Sequence, residues 1–192
     1  MLSIWKKSLL IFSIIALSAC QSLPVPLPFS QLQNNSQAPT DGNVNLYCEG
    51  VNRCEFTRVN HTQILDADTG WITLQAISQG LVRLKTSSVL ADKKLSFYLT
   101  VPAKRHEIAI SYYPISKYRV EKFTVIHNFV AGHNYKFQMY RQENTSNGSL
   151  FNVSAPEPLC VNLWQDNIVI RRFCRPVDAL TGLGEFIEQK VN

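Results

Sequence analysis

The apolar stretch that begins at Ser8 runs out at Cys20, short of the about 20 residues a membrane-spanning helix needs. The chain also has no Gly-x-Ser-x-Gly elbow, which removes the usual sequence sign of an α/β-hydrolase nucleophile. Its cysteines never come in pairs two to four residues apart, so the spacing of a structural zinc site is missing. Gly182-Leu183-Gly184-Glu185 has no lysine after it and no strand-to-helix context, which rules out a phosphate loop. No internal repeat is present, and helix signals are scarce. Val177 to Lys190 could follow Pro176 as a helix, but Gly182 and Gly184 each cost about 1 kcal/mol there relative to alanine. Irregular structure or a short terminal turn is expected instead.

What is present at the start is an address. Lys6 and Lys7 precede the apolar run, and Leu17-Ser18-Ala19-Cys20 closes it, the layout of a signal peptide over residues 1–19. This tetrad resembles the lipobox of bacterial lipoproteins, in which an aliphatic residue and two small ones precede an obligatory cysteine. The resemblance implies that Cys20 becomes the first residue of the mature chain and carries diacylglycerol through a thioether. It also implies transfer to the outer membrane, because Gln21 stands where a retained lipoprotein has aspartate. Several acyl chains on one residue, at about 0.8 kcal/mol per buried methylene, make a permanent anchor in the bilayer.

The chain has 19 Lys and Arg against 14 Asp and Glu, and loss of Lys6 and Lys7 with the signal takes the net charge from +5 to +3. That mild excess, in an exported protein, excludes nucleic acid as the expected partner. Arg171, Arg172 and Arg175 are the densest basic group, expected on a solvated face. From Cys20 to Asn43 the sequence is low in charge, with Pro24, Pro26 and Pro28 alternating, which suits an extended tether between the anchor and a domain.

Residues 44–192 suit one domain able to bury its own core. Alternating or β-branched runs recur at short spacing: Val44 to Cys48, Glu55 to Val59, Trp71 to Ile77, Leu81 to Thr86, Leu95 to Val101, Glu107 to Tyr113, Lys122 to Val130, Tyr135 to Tyr140 and Val161 to Phe173. The pattern predicts an all-β domain, a single antiparallel β-sandwich or partly open barrel. Phe123 to Val130 and His133 to Tyr140, joined through Ala131-Gly132, read as a hairpin with Gly132 supplying a positive φ. Leu95-Ser96-Phe97-Tyr98-Leu99 reads as a core strand, or else as a docking edge.

Leu99-Thr100-Val101-Pro102-Ala103, the strand His106 to Tyr112 and Ala131-Gly132-His133-Asn134-Tyr135 resemble the small PEGA-type or transthyretin-like modules of bacterial envelope proteins. The resemblance spans residues 95–140 and implies a ligand-free hairpin on a sandwich that does no chemistry itself.

With Cys20 assigned to lipid, Cys48, Cys54, Cys160 and Cys174 remain, an even number that in an exported protein implies disulfides. Cys48 and Cys54 bracket a loop with glycine and asparagine. Cys160 and Cys174 bracket a second turn, where a three-residue loop Asp166-Asn167-Ile168 sets Gln165 against Val169 and Cys160 against Cys174. Local pairing, Cys48 with Cys54 and Cys160 with Cys174, is therefore expected.

His61, His106, His127 and His133 are scattered, and although His127 and His133 flank one expected hairpin, no metal site is expected. Asp66-Ala67-Asp68-Thr69-Gly70 has two acids before a glycine but lacks the later ligands of a calcium loop, so an Asx turn before a strand at Trp71 is expected. No catalytic residue, metal or other cofactor is expected. The expectation is a non-enzymatic lipoprotein on the periplasmic face of the outer membrane, acting as a binding or assembly module for an envelope protein or glycan. Two alternatives remain. One is an envelope hydrolase using His61 with Asp66 or Asp68; the other is an inhibitor of lysozyme, against which the +3 charge argues, since lysozymes are strongly basic.

Overall fold

A computed structural model describes residues 42–50, 53–84, 97–114, 118, 120–142, 158–175 and 184–191. The signal segment, Cys20 and the expected tether as far as residue 41 lie outside the described residues, and Asn43, expected as the end of the tether, opens the first strand. The domain is all-β, two sheets packed face to face without closing into a barrel. Among the described residues the strands are β1 (Asn43–Glu49), β2 (Arg53–Val59), β3 (Thr62–Gln63), β4 (Val82–Leu84), β5 (Phe97–Pro102), β6 (Arg105–Tyr113), β7 (Glu121–Asn128), β8 (Asn134–Arg141), β9 (Leu159–Gln165), β10 (Ile168–Arg175) and β11 (Ile187–Gln189), with one short helix, α1 (Leu74–Ser78). A seven-stranded sheet has the order β11-β10-β9-β8-β1-β5-β4, and a four-stranded sheet the order β3-β2-β6-β7.

The period-2 alternation of the strands sorts their side chains between core and outside. Phe123 and Val125 on β7, Ile108, Ile110 and Tyr112 on β6, and Tyr135, Phe137 and Met139 on β8 point into one core with Val44, Leu46, Leu99, Val161 and Leu163. Phe123 is its aromatic hub, edge-on to Phe173 at 5.1 Å and to Phe186 at 5.4 Å. One pair departs from the antiparallel pattern: β1 and β8 run parallel, with Asn45 beside Asn134 and Glu49 beside Gln138.

The expected β7–β8 hairpin is instead an arch between sheets. β7 pairs with β6 in the small sheet, and β8 pairs with β1 and β9 in the large one. Gly132 does adopt a positive φ, 80°, but the turn it makes carries the chain across the core. Both strands have aromatic residues on their inner faces, and an arch sets Phe129 against Tyr135 at 4.8 Å across the interior.

Two connections close the sides of the sandwich. On one side the chain leaves β3, passes through α1 and enters β4 at the far edge of the large sheet. Trp71 to Ile77, expected as a strand, makes a single bridge, Ile72 with Leu65, and then the helix. Thr73 explains the switch, because its hydroxyl accepts from Ala76 N at 3.1 Å and caps the first turn. Ala76 and Ile77 are thereby buried, while Trp71 and Leu74 stay exposed. On the other side β7 faces β10 and β11, where Arg171 Nη1 donates to Ile126 O at 2.8 Å and Arg175 pairs with Glu121 at 2.7 Å. Ile187–Gln189, expected as irregular chain or a turn, forms this edge strand against Arg172–Cys174.

β5 lies between β1 and β4, so its described part is a core strand and the docking-edge alternative does not hold there. The turn between β9 and β10 holds two residues, Asp166 and Asn167, with Ile168 opposite Gln165. Ile170 then bulges, and the added residue restores the register that sets Cys160 against Cys174.

Candidate functional site

Both disulfides form as expected, Cys48 with Cys54 across six residues of sequence and Cys160 with Cys174 across fourteen. They lie at the end of the sandwich where β1 and β8 finish and β2 and β9 begin. The opposite end gathers Gly42, the β2–β3 turn, the β5–β6 turn, the β7–β8 arch and the β9–β10 turn. This Gly42 end also holds three of the four histidines, with His127 on the last turn of strand leading to it.

His133 and His106 there have local partners. His133 Nδ1 lies 2.7 Å from Asp166 Oδ2, and Asp166 Oδ1 accepts from Asn134 N at 3.0 Å. The hydrogen bond from His133 comes first, and that from Asn134 second, in holding the Asp166 carboxyl below its ordinary range. Asp166 has a φ of 53°, the left-handed backbone that a two-residue turn demands and aspartate tolerates. The turn borders an open depression of about 380 Å³ lined by His133, Gln165, Asp166, Asn167, Ile168 and Ile170.

His106 is buried. Its Nδ1 is 2.8 Å from Asn60 Nδ2 and its Nε2 is 2.8 Å from Pro102 O. Burial pushes its pKa down; the bond to Pro102 opposes this and the charge of Lys104 adds to it. His127 sits opposite His106 in the β6–β7 register and packs edge-on to Phe129 at 4.8 Å and Tyr135 at 5.7 Å. Its pKa is also lowered, by burial first and then by Arg171. Among the described residues no three His, Cys, Asp or Glu side chains group as metal ligands.

The residues of the hydrolase alternative are not brought into contact. His61 is exposed in the β2–β3 turn. Asp66 Oδ1 accepts from Thr69 Oγ1 at 2.7 Å, Thr69 N at 2.8 Å and Asp68 N at 3.2 Å. Those bonds hold its carboxyl below the ordinary range and make Asp66–Gly70 the Asx-type turn its residues predict. No hydrogen bond or ion pair joins His61 to Asp66 or Asp68 among the described residues.

The basic group of β10 is divided by the strand's alternation. Arg171 binds Glu188 with both Nε and Nη2 at 2.7 Å, Arg175 binds Glu121, and Arg172 turns to the opposite face to reach Asn162 Oδ1 at 3.1 Å. Two of the three charges are therefore matched rather than displayed. The residue that sequence reasoning missed is Asn60. Its φ of 50° is left-handed, and its side chain links two turns; the sequence Asn60-His61 between two strands was the available sign. No protein-family model, no curated protein and no solved structure matches the chain.

Proposed function

We propose that the chain is a lipoprotein anchored to the outer membrane through acylated Cys20, whose β-domain is a non-enzymatic binding or assembly module for another envelope protein or glycan. One observation carries the reading. Four of the five cysteines are consumed in two local disulfides, which leaves Cys20 alone, at the end of an apolar stretch and behind Leu17-Ser18-Ala19. The disulfides also fit an exported protein. A binding role is supported by side chains that are committed to one another: the carboxylates of Asp66 and Asp166 serve turns, and His106 serves a buried network.

Labelled fatty acid tests the anchor. The wild-type protein should take up the label, and Cys20→Ala should lose it and leave the membrane fraction; an acylated mutant would overturn the lipobox reading. In vivo crosslinking from the domain, read by mass spectrometry, tests the module, and a reproducible envelope partner is expected. Loss of function in folded, exported His61→Ala, Asp66→Ala and Asp68→Ala variants would overturn it in favour of hydrolysis.

A further inference from the structure

We propose that the Gly42 end of the sandwich is a lipid-contact surface, where Lys104 and Arg105 meet anionic phospholipid headgroups and Val130 rests at the bilayer interface. The inference rests on the anchoring of Cys20 and adds to it the face that the domain turns to the membrane.

Three bonds put these residues in one place. Ala103 N donates to Gly42 O at 2.8 Å, Phe129 N donates to Lys104 O at 3.1 Å, and Val130 N donates to Tyr135 Oη at 3.0 Å. The point from which the chain leads back to Cys20 is thus one hydrogen bond from the β5–β6 turn, and that turn is one hydrogen bond from the arch. Lys104 and Arg105 are both exposed, and neither takes part in an ion pair among the described residues. Arg58 at the same end is matched by Glu107, and Asp166, whose partner His133 carries charge only when protonated, offsets one of the two cations, so among the described residues this end keeps a net positive charge. Val130 is 51% exposed beside them, an aliphatic side chain with no place in the core.

Residues 21–41 lie between Cys20 and Gly42, a length that spans at most about 70 Å when fully extended. The described domain is about 30 Å along its longest strand, the nine residues of β6. A tether of that length lets either end reach the lipid, and the Gly42 end is the one from which the chain leads back to the anchor, the shorter path to the bilayer. Tethering raises the local concentration of headgroups to the millimolar range, enough to populate a contact too weak to hold an untethered domain. An anionic leaflet attracts nearby Lys and Arg over about 10 Å at 0.1 M salt, so proximity and charge act together here.

The test uses the full lipidated protein reconstituted into vesicles of phosphatidylcholine alone, or of phosphatidylcholine with phosphatidylglycerol, with amide hydrogen exchange as the readout. Peptides covering 103–105 and 129–131 should exchange severalfold more slowly on the anionic vesicles. High salt, or the double variant Lys104→Glu/Arg105→Glu, should abolish the difference, while peptides at the Cys160–Cys174 bridge exchange alike throughout and report that the variant is folded. Equal exchange on both vesicles, or slowing that survives the double variant, would overturn the surface. A wild-type protein with no acyl mass and no vesicle association would instead overturn the anchor. In that event the Cys20 thiol is added across the double bond of a maleimide-bearing lipid, giving a thioether, and the same exchange criterion then decides the surface alone.

Discussion

Asn60 and His106 fix each other's hydrogen-bonding roles. The Asn60 carboxamide donates through Nδ2 to His106 Nδ1 at 2.8 Å, and its Oδ1 accepts from Glu107 N at 3.0 Å. Turning the amide over would set N–H against N–H at Glu107, so Nδ1 must accept and the imidazole proton must sit on Nε2, where it is donated to Pro102 O. A second proton on Nδ1 would meet a donor. The β2–β3 and β5–β6 turns are thus joined through one neutral histidine.

The pH dependence of stability follows with a definite sign. Burial holds the His106 pKa below its ordinary 6.5, and His127 is lowered as well, by burial and by Arg171. The unfolded chain takes up these protons first, so stability is complete above about pH 6.5 and falls as the pH drops toward the folded values, by at most about 1.4 kcal/mol per pH unit for each histidine. Chemical denaturation followed from about pH 8 to about pH 5 should show this decline. Asn60→Gly keeps the left-handed backbone and frees Nδ1 to water. It should cost about 1 kcal/mol at the upper pH and flatten the decline. A wild-type profile without slope in this window would refute the account.

How much of this was legible in the sequence depends on what each residue pattern encodes. Alternation marked the strands because one face of each is buried, so Phe123 and Val125, or Tyr135 and Phe137, announced their own spacing. It could not say which sheet a strand joins. The segment from Phe123 to Tyr140 has the same alternation in a hairpin as in an arch, and only the packing of Phe129 on Tyr135 separates the two. The disulfides were legible because few residues separate their cysteines, although the turn and the Ile170 bulge reach that register by a different route from a three-residue loop. The helix at Leu74 was not legible, since Trp71, Ile72 and Leu74 suit a strand and the capping role of Thr73 depends on the Thr73–Ala76 contact. Of the Gly42 end, the sequence offered the histidines singly; their partners Asn60 and Asp166 come from turns distant in sequence.

The two disulfides should contribute unequally. By the entropy of loop closure, a bridge across six residues restricts the unfolded chain by about 2 kcal/mol and one across fourteen by about 3 kcal/mol. Cys160→Ala/Cys174→Ala should therefore lower the denaturation midpoint more than Cys48→Ala/Cys54→Ala. The larger loss is further assured by burial, since Cys160 and Cys174 are almost wholly inaccessible and their removal leaves a void. Equal losses would refute both the ranking by loop length and the added cost of the buried void.

Arg171 should hold the edge of the large sheet. All three residues of β11 are exposed, so little apolar burial retains it beyond its ladder with β10. Arg171 adds the two bonds to Glu188, the bond to Ile126 O and a cation–π contact with Phe173 at 4.7 Å. Arg171→Ala should cost about 1 kcal/mol globally, the scale of a partly exposed ion pair. Locally it should act more strongly, with faster amide exchange at 187–189 while β8 and β9 are unaffected. Uniform acceleration across both sheets would show that the pair supports the core instead of the edge.

Tyr112 and Tyr135 give the most discriminating pair of substitutions. Both rings are fully buried, but their hydroxyls differ. Tyr135 Oη accepts from Val130 N at 3.0 Å, while the Tyr112 hydroxyl has no hydrogen-bond partner among the described residues. Tyr135→Phe strands the Val130 amide inside the arch and should cost about 1 to 2 kcal/mol. Tyr112→Phe removes a polar atom with no partner among the described residues and should be neutral or stabilising by up to about 1 kcal/mol. Denaturation midpoints of the two variants measured side by side separate bonded from unbonded burial with the same chemical change. They also test the arch: in a β7–β8 hairpin, Val130 would find a backbone partner across the turn and Tyr135→Phe would be silent. A costly Tyr112→Phe beside a silent Tyr135→Phe would mean that the chain crosses between the sheets somewhere other than at Gly132.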